Sequence, residues 1–212
     1  MLATTHIELV PAEVHQRPAT RCIARTIDGG AVVVMSAGLG LPRLWGMAAR
    51  AVVDGFIDTY ASSTSKGKAR IDAATIAARA RLAFTCDQLI ERMTPDASLT
   101  AVLILGEELH VINAGTGRVY VHREGQPKRL TNRDEPNLGL LRAAPVHATE
   151  LVLPGDLIIA GTEAAFSAQA ISKLASTLEA APQIAPNVVA NLLVAPIREQ
   201  GIGAAAAALR VH

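Results

Sequence analysis

The spacing of apolar residues changes several times along the chain, and the order of these changes restricts the fold class. Segments that alternate or are continuously apolar, which predict strands, are 5–10, 19–27, 31–35, 99–105, 109–113, 118–123, 128–130, 151–153 and 157–160. Stretches with an apolar residue every three or four positions, which predict helices, are 42–60, 72–93, 163–180 and 186–199. Strands, two helices, strands and two helices in this order favour a layered α+β fold over alternating βαβ units.

Turn and cap signals refine this outline. Asp28, Gly29 and Gly30 predict a tight hairpin, and Pro154-Gly155 predicts a second hairpin between 151–153 and 157–160. The polar segment 61–70 predicts a mobile loop, and Asp72 is a candidate N-cap for the second helix. The apolar stripe expected on that helix is Ile76, Ala80, Ala83, Ile90 and Met93.

Composition excludes several classes of function. Half of the 212 residues are apolar, which suits one domain, 1–212, with a core built from aliphatic side chains. The formal net charge of +1 does not favour a nucleic-acid partner. The longest apolar runs are far shorter than the roughly 20 residues that span a bilayer, so we expect no membrane partner and a cytoplasmic location. Cys22 and Cys86 are interpreted as buried thiols of a reduced, intracellular chain.

Several segments, taken in order, resemble the PP2C (PPM) metal-dependent serine/threonine protein phosphatases. Segment 113–136 is similar to the family's strand pair that runs from a Gly-Asp-Ser-Arg turn to a Leu-Thr-x-Asp-His motif; the matching residues are Gly115, Arg118, Tyr120, Gly125, Leu130, Thr131 and Asp134. Thr100-Ala101 resembles the family's Gly-x-Thr-Ala strand. Segment 31–40 is similar to the strand and glycine loop Ala-Asp-Gly-Met-Gly-Gly, and 153–160 resembles the strand before Ser-Asp-Gly.

The resemblance implies a four-layer αββα sandwich, in which two stacked antiparallel sheets are flanked by helix pairs. It also implies that 204–211, although it opens with five alanines, is a final strand rather than a helix. In the family, carboxylates at the edge of the sandwich hold two Mg²⁺ or Mn²⁺ ions, which activate a water for attack on the phosphoryl group.

These carboxylates are missing here. Ala37 stands where the family has the aspartate of Ala-Asp-Gly, and Thr162 stands where it has that of Ser-Asp-Gly. Gly201 lies in the region of the family's C-terminal Asp-Asn. We therefore expect no catalytic residue, no metal and no cofactor. The predicted vestigial cleft comprises Asp28, Ser36, Ala37, Gly38, Thr162, Glu163 and Gly201.

Some charged residues near these positions could retain part of the chemistry. Asp28 could be a surviving acid, although a turn residue before two glycines is the simpler interpretation. Glu163 could replace one ligand, or it could lie in the first turn of a helix, where an acid suits the helix dipole. Arg21 and Arg25 lie near the family's phosphate-contacting arginine, but they fit solvent-exposed positions better.

Three functional hypotheses follow from this pattern. The first is a pseudophosphatase that regulates or scaffolds signalling by binding a protein kinase, a phosphoprotein or a regulatory subunit. The second is a phosphatase with a rebuilt metal site, which requires Asp28, Asp134 and Glu163 to converge on one ion. The third is a sensor that binds a small molecule or nucleotide in the vestigial cleft.

Overall fold

A computed structural model describes residues 3–10, 19–27, 30–89, 95–131, 138–198, 200 and 203–212. Its strands are β1 (Ala3–Val10), β2 (Thr20–Ile27), β3 (Gly30–Leu39), β4 (Asp96–Ala97), β5 (Leu99–Leu105), β6 (Glu108–Ala114), β7 (Arg118–Arg123), β8 (Gln126–Arg129), β9 (Val146–Leu151), β10 (Leu157–Gly161) and β11 (Ala204–Val211). Its α-helices are α1 (Trp45–Ser62), α2 (Gly67–Asp87), α3 (Ala168–Ala180) and α4 (Pro186–Arg198). Short 3-10 helices at Pro42–Leu44 and Glu163–Phe166 precede α1 and α3.

The strands form two antiparallel sheets. The five-stranded sheet has the order β1-β11-β10-β7-β8, and the six-stranded sheet has the order β2-β3-β5-β6-β9, with β4 paired to β3. Because consecutive side chains of a strand point to opposite faces, each central strand contributes to two cores. In β3, for example, Val32 and Val34 pack towards α1 and α2, whereas Val33 and Met35 pack towards the other sheet.

Three clusters of buried residues lie between four layers. One joins α1 and α2 to the six-stranded sheet, one fills the space between the sheets, and one joins the five-stranded sheet to α3 and α4. This arrangement confirms the predicted α+β, four-layer αββα sandwich. Cys22 and Cys86 are both buried and free, and burial raises the pKa of the Cys22 thiol to about 12. No helix in the described part of the chain is long and apolar enough to cross a membrane.

Helix α2 differs from its prediction in phase and in extent. Its buried stripe is Ile71, Ala74, Ala78, Leu82 and Cys86. Ile76 and Ala80, which were assigned to the core, are exposed, and Ile90 and Met93 lie outside the described residues. The helix begins at Gly67 and not at Asp72, whose carboxylate instead accepts a hydrogen bond from Lys68 Nζ one turn earlier at 2.6 Å. The predicted loop 61–70 is therefore reduced to residues 63–66.

The predicted hairpin around Pro154-Gly155 is also wrong. Strand β9 pairs with β6 in one sheet, whereas β10 pairs with β7 and β11 in the other. The Pro-Gly turn thus carries the chain from one sheet to the other. A turn signal shows where the chain reverses, but it does not show that the flanking strands are hydrogen-bonded to each other.

The last strand, β11, lies between β1 and β10 and is buried along its whole length. Ala204, Ala206 and Ala208 face α4, and Ala205 and Ala207 face the other sheet. Alanine favours helices in isolation, but pairing on both edges and burial on both faces outweigh that preference here. The prediction of a strand at 204–211 is confirmed.

Candidate functional site

The predicted cleft positions of the two sheets meet at one edge of the sandwich. Thr20 at the start of β2 pairs with Ala37 near the end of β3. The Thr20 hydroxyl donates to the carbonyl of Ala204 in the other sheet at 3.4 Å. Thr162 follows β10, and its backbone N–H donates to the carbonyl of Ala205 at 2.9 Å. These contacts join the ends of β3 and β10 to the starts of β2 and β11.

The alternation of side chains directs Ala37 and Thr162 towards the space between the sheets. Met35, two residues before Ala37, belongs to the inter-sheet core, and so does Ala160, two residues before Thr162. The two inward positions are thus occupied by a methyl group and a hydroxyl.

The hydroxyl of Thr162 is hydrogen-bonded to the backbone of β11 as both donor and acceptor. It accepts a hydrogen bond from the Ala205 N–H at 3.0 Å and donates to the Ala205 carbonyl at 3.4 Å. The side chain is 3% exposed. A hydroxyl has one proton to donate, and this one is directed at a backbone carbonyl in a buried setting. Thr162 therefore links the end of β10 to β11 and does not supply a carboxylate at this position.

The hydroxyls of Ser36 and Ser98 are also hydrogen-bonded to backbone groups. The buried Ser36 hydroxyl donates to the Ser98 carbonyl at 2.5 Å, and the Ser98 hydroxyl accepts from the Ala37 N–H at 2.9 Å. The Ser98 N–H donates to the Ala37 carbonyl. Sequence reasoning did not single out Ser98 or Thr20, although a hydroxyl at the end of a strongly apolar strand is a signal for such edge contacts.

Gly38 is required by packing against the start of α1. A Cβ at this position would lie 2.2 Å from the Trp45 Cα, so no larger residue fits without moving the helix. The indole N–H of Trp45 donates to the Gly40 carbonyl at 3.1 Å and ties the loop to the helix. The glycine loop that resembles the family motif therefore has a structural role here.

The best-matching motif, around 113–118, is likewise explained by packing. The Thr100 hydroxyl donates to Asn113 Oδ1 at 3.0 Å, and Asn113 Nδ2 donates to the Gly115 carbonyl at 2.9 Å. A Cβ on Gly117 would overlap the Thr100 hydroxyl at 1.9 Å. Arg118 lies over the Phe166 ring, with 5.7 Å between the guanidinium carbon and the ring centroid. These residues preserve the shape of the edge.

Three of the remaining predicted site residues lie in the described part of the chain. Glu163 is exposed at the start of a 3-10 helix, in accordance with the helix-terminus interpretation. Arg21 lies near the edge, but its guanidinium pairs with Asp54 of α1 at 3.3 Å on the helix-facing side. Arg25 is exposed and lies four residues after Arg21 on β2, which separates the two Cα atoms by about 13 Å. Asp28 and Gly201 lie outside the described residues.

The described residues do not fit the pair of divalent metal ions that the resemblance implies. Magnesium and manganese prefer carboxylate, carbonyl and water oxygens, and stable sites include at least one carboxylate. The side chain of Ala37 offers no oxygen, and its carbonyl accepts a hydrogen bond from the Ser98 N–H. The hydroxyls of Ser36 and Thr162 are hydrogen-bonded to the backbone. Within the part of the chain that the structure describes, no three His, Cys, Asp or Glu side chains cluster in a way that could hold a metal ion.

Comparison of the fold with solved structures finds serine/threonine phosphatases of the PPM class. The Mycobacterium tuberculosis phosphatase PstP/Ppp has a TM-score of 0.78 at 16% identity, with 99% of each chain covered. The catalytic domain of PstP in complex with two manganese ions has a TM-score of 0.81 at 16% identity, again over 99% of each chain. The S. agalactiae serine/threonine phosphatase has a TM-score of 0.80 at 13% identity, over 99% of this chain and 100% of that one.

At the level of sequence, no protein-family model and no curated protein matches the chain. The structural similarity nevertheless extends over the whole chain at a TM-score close to 0.8. The chain therefore has the PP2C (PPM) phosphatase fold, which confirms the resemblance at the level of fold.

Proposed function

We propose that the chain is a single PP2C-like domain that acts as a pseudophosphatase, a catalytically inactive module that regulates or scaffolds signalling by binding another protein. The observation that carries this proposal is the state of the sandwich edge. Ala37 and Thr162 occupy the two inward positions, and the Thr162 hydroxyl is bonded on both sides to Ala205. The contacts of the Thr162 hydroxyl with Ala205 stabilise the edge of the sandwich, but neither Ala37 nor Thr162 supplies an anionic side chain for a metal ion.

The outer face of α2 supports the protein-binding half of the proposal. Ile76 is 69% exposed and Phe84 is 66% exposed, and they lie on one side of the helix about 12 Å apart. Arg79 lies between them in sequence and donates to the Leu141 carbonyl at 2.8 Å rather than to a carboxylate. This surface, Ile76–Arg79–Phe84, suits a partner whose apolar side chains are flanked by acidic residues, such as a phosphoprotein or a kinase segment.

The inactive half is tested by restoring the missing carboxylates. We expect the double variant Ala37→Asp, Thr162→Asp to bind Mn²⁺ with a saturable heat signal in calorimetry, because both new side chains face the space between the sheets. The control Ala37→Asn, Thr162→Asn has the same shape without the charge and should give no signal. Equal Mn²⁺ binding by the wild-type protein would contradict the proposal and would favour a rebuilt metal site.

The binding half is tested by removing the apolar surface of α2. Cross-linking capture from cell extract should recover a partner with the wild-type protein and lose it with Ile76→Ser, Phe84→Ser. A matched control is Leu151→Ser, Leu153→Ser, which removes two exposed leucines elsewhere on the molecule. A partner that is retained by the α2 variant and lost by the control would place the interface away from α2. Equal recovery by all three proteins would show that neither surface is needed.

A further inference from the structure

A cavity of about 560 Å³ lies on the opposite side of the five-stranded sheet from the inter-sheet core. Its floor is formed by the outward side chains of β7 and β10, and α3 forms its roof. The volume is within the range of about 300–1,000 Å³ that is common for small-molecule sites. Ile159, Phe166, Leu174 and Leu178 form most of the wall, so the cavity is predominantly apolar.

Two polar side chains, those of Tyr120 and His122, interrupt this apolar wall. His122 is 8% exposed, and Tyr120 lies two residues before it on the same face of β7. Within the described residues, neither the Tyr120 hydroxyl nor a ring nitrogen of His122 has a hydrogen-bond partner. Both side chains line the cavity, so a ligand bound there that carries a hydrogen-bonding group can pair with them.

The charges around the cavity limit what such a ligand can be. Burial, and secondarily Arg210, lowers the pKa of His122, so its imidazole is neutral at pH 7 and offers one donor and one acceptor. Arg210 is directed elsewhere, because its guanidinium donates to the carbonyls of Gly155, Pro182 and Ile184. The exposed Glu179 carboxylate at the rim disfavours an anion. Among the described residues that line the cavity, none is an arginine or lysine that could neutralise a buried negative charge on the ligand.

We infer that this cavity is a binding site for a small, uncharged, largely apolar molecule that carries one hydrogen-bonding group. The apolar body lies between α3 and the sheet, and the polar group meets Tyr120 and His122. The site is separate from the sandwich edge and does not depend on the proposed pseudophosphatase function. Pro182 at one end of the cavity is held by Arg210, and Ala175 of α3 lines the wall with a side chain small enough to leave space.

The test uses two fluorescent probes with the same ring skeleton. N-phenyl-1-naphthylamine is neutral with one N–H group, and anilinonaphthalene sulfonate adds a negative charge. We expect the neutral probe to bind saturably at one site per chain, and the sulfonate to bind at least about tenfold more weakly, because its charge would be buried without a partner. Equal or tighter binding of the sulfonate would overturn the assignment of an uncharged ligand.

Variants locate the binding site. Ala175→Phe should fill the cavity and abolish binding of the neutral probe, whereas Ala168→Phe, the same change at an exposed position at the start of α3, should leave it unchanged. The pair Tyr120→Phe, His122→Phe should weaken binding about threefold to tenfold, which corresponds to one lost hydrogen bond. Unchanged binding by Ala175→Phe, with thermal unfolding showing that the variant is folded, would overturn the proposal, and so would the absence of saturable binding to the wild-type protein.

Discussion

The Thr162 hydroxyl and the Ala37 methyl group are the residues on which the proposal of an inactive edge depends. Both side chains lie between the sheets, and the neighbouring strands are paired without interruption up to Ala37 and Gly161. A carboxylate at Thr162 would have to turn away from the Ala205 carbonyl, which is a poor neighbour for a negative charge. The threonine instead donates to that carbonyl and accepts from the adjacent N–H.

Two histidines have lowered pKa values and make stability depend on pH. Burial lowers the pKa of both His122 and His147; Arg210 adds to the effect at His122, and His110 and Lys68 add to it at His147. Below the unfolded-state pKa of about 6.5 the unfolded chain binds more protons than the folded chain, so the free energy of unfolding falls as pH falls. Above that pH both states are neutral at these positions, and the histidines contribute no pH dependence.

We therefore expect urea unfolding to show lower stability at pH 5.5 than at pH 7.5. His122→Phe should flatten this dependence, whereas Tyr120→Phe, a change on the same face of β7, should leave it intact. Arg210 of β11 contributes to the lowered pKa of His122, and Glu179 of α3 lines the same cavity. An identical pH dependence in the wild-type protein and His122→Phe would show that the burial of His122 has no effect on its titration.

The strands that lead to Ala37 and Thr162 could be predicted from the sequence because their signals are local. Continuous apolar runs at 31–35 and 157–160 predicted these strands, and both are present in β3 and β10. The partners of those residues could not be predicted in this way. The contact from Thr20 to Ala204 joins residues 184 positions apart, and the distances of Arg21 and Arg25 from the edge depend on how β2 pairs.

Among the elements, helix α2 shows that an alanine-rich sequence does not identify which side of the helix is buried. The helix is rich in alanine, which is accepted on either side, so several apolar stripes fit the same sequence. Packing against α1 selects the stripe through Ile71 and Leu82, and the stripe through Ile76 and Phe84 is left on the surface. Gly55 of α1 allows this close approach, because a Cβ there would lie 3.0 Å from the Ala78 Cα.

A matched pair of substitutions on α2 tests this phase. Leu82→Ala should lower the free energy of unfolding by about 2–5 kcal/mol, because it removes a fully buried side chain. Ile76→Ala should change it by less than about 0.5 kcal/mol, because the side chain is exposed and alanine favours the helix. Chemical denaturation of both variants measures the difference. Comparable losses in the two variants would mean that Ile76 is covered in the folded protein.

At the scale of the whole molecule, the layers follow from the order of the elements, while the sheet order depends on long-range pairing. Strand β11 is central to the five-stranded sheet although it comes last in the chain, and its five alanines predict a helix when propensity is considered alone. The resemblance to the PP2C fold predicted this strand correctly. The predicted hairpin between 151–153 and 157–160 is wrong because it was inferred from a local turn signal alone. In the structure β9 pairs with β6, and β10 pairs with β11 in the other sheet.

The sandwich edge and the outer side of the five-stranded sheet have different properties. At the edge, the Thr162 hydroxyl is hydrogen-bonded to β11, whereas the outer side of the five-stranded sheet has an apolar cavity lined in part by Tyr120 and His122. In our account, a scaffold shared with metal-dependent phosphatases is used for binding rather than for catalysis. The exposed stripe of α2 is the proposed protein-binding surface, and the cavity under α3 is the proposed small-molecule site.

We propose that this chain functions without metal-dependent phosphatase chemistry. The most direct measurement is a calorimetric titration of the wild-type protein with Mn²⁺ and Mg²⁺, carried out beside an assay of aryl phosphate hydrolysis. We predict no saturable heat of binding and no turnover that depends on the metal, because the inward positions hold Ala37 and Thr162. Stoichiometric metal binding together with Mn²⁺-dependent turnover that persists after repurification would contradict this account.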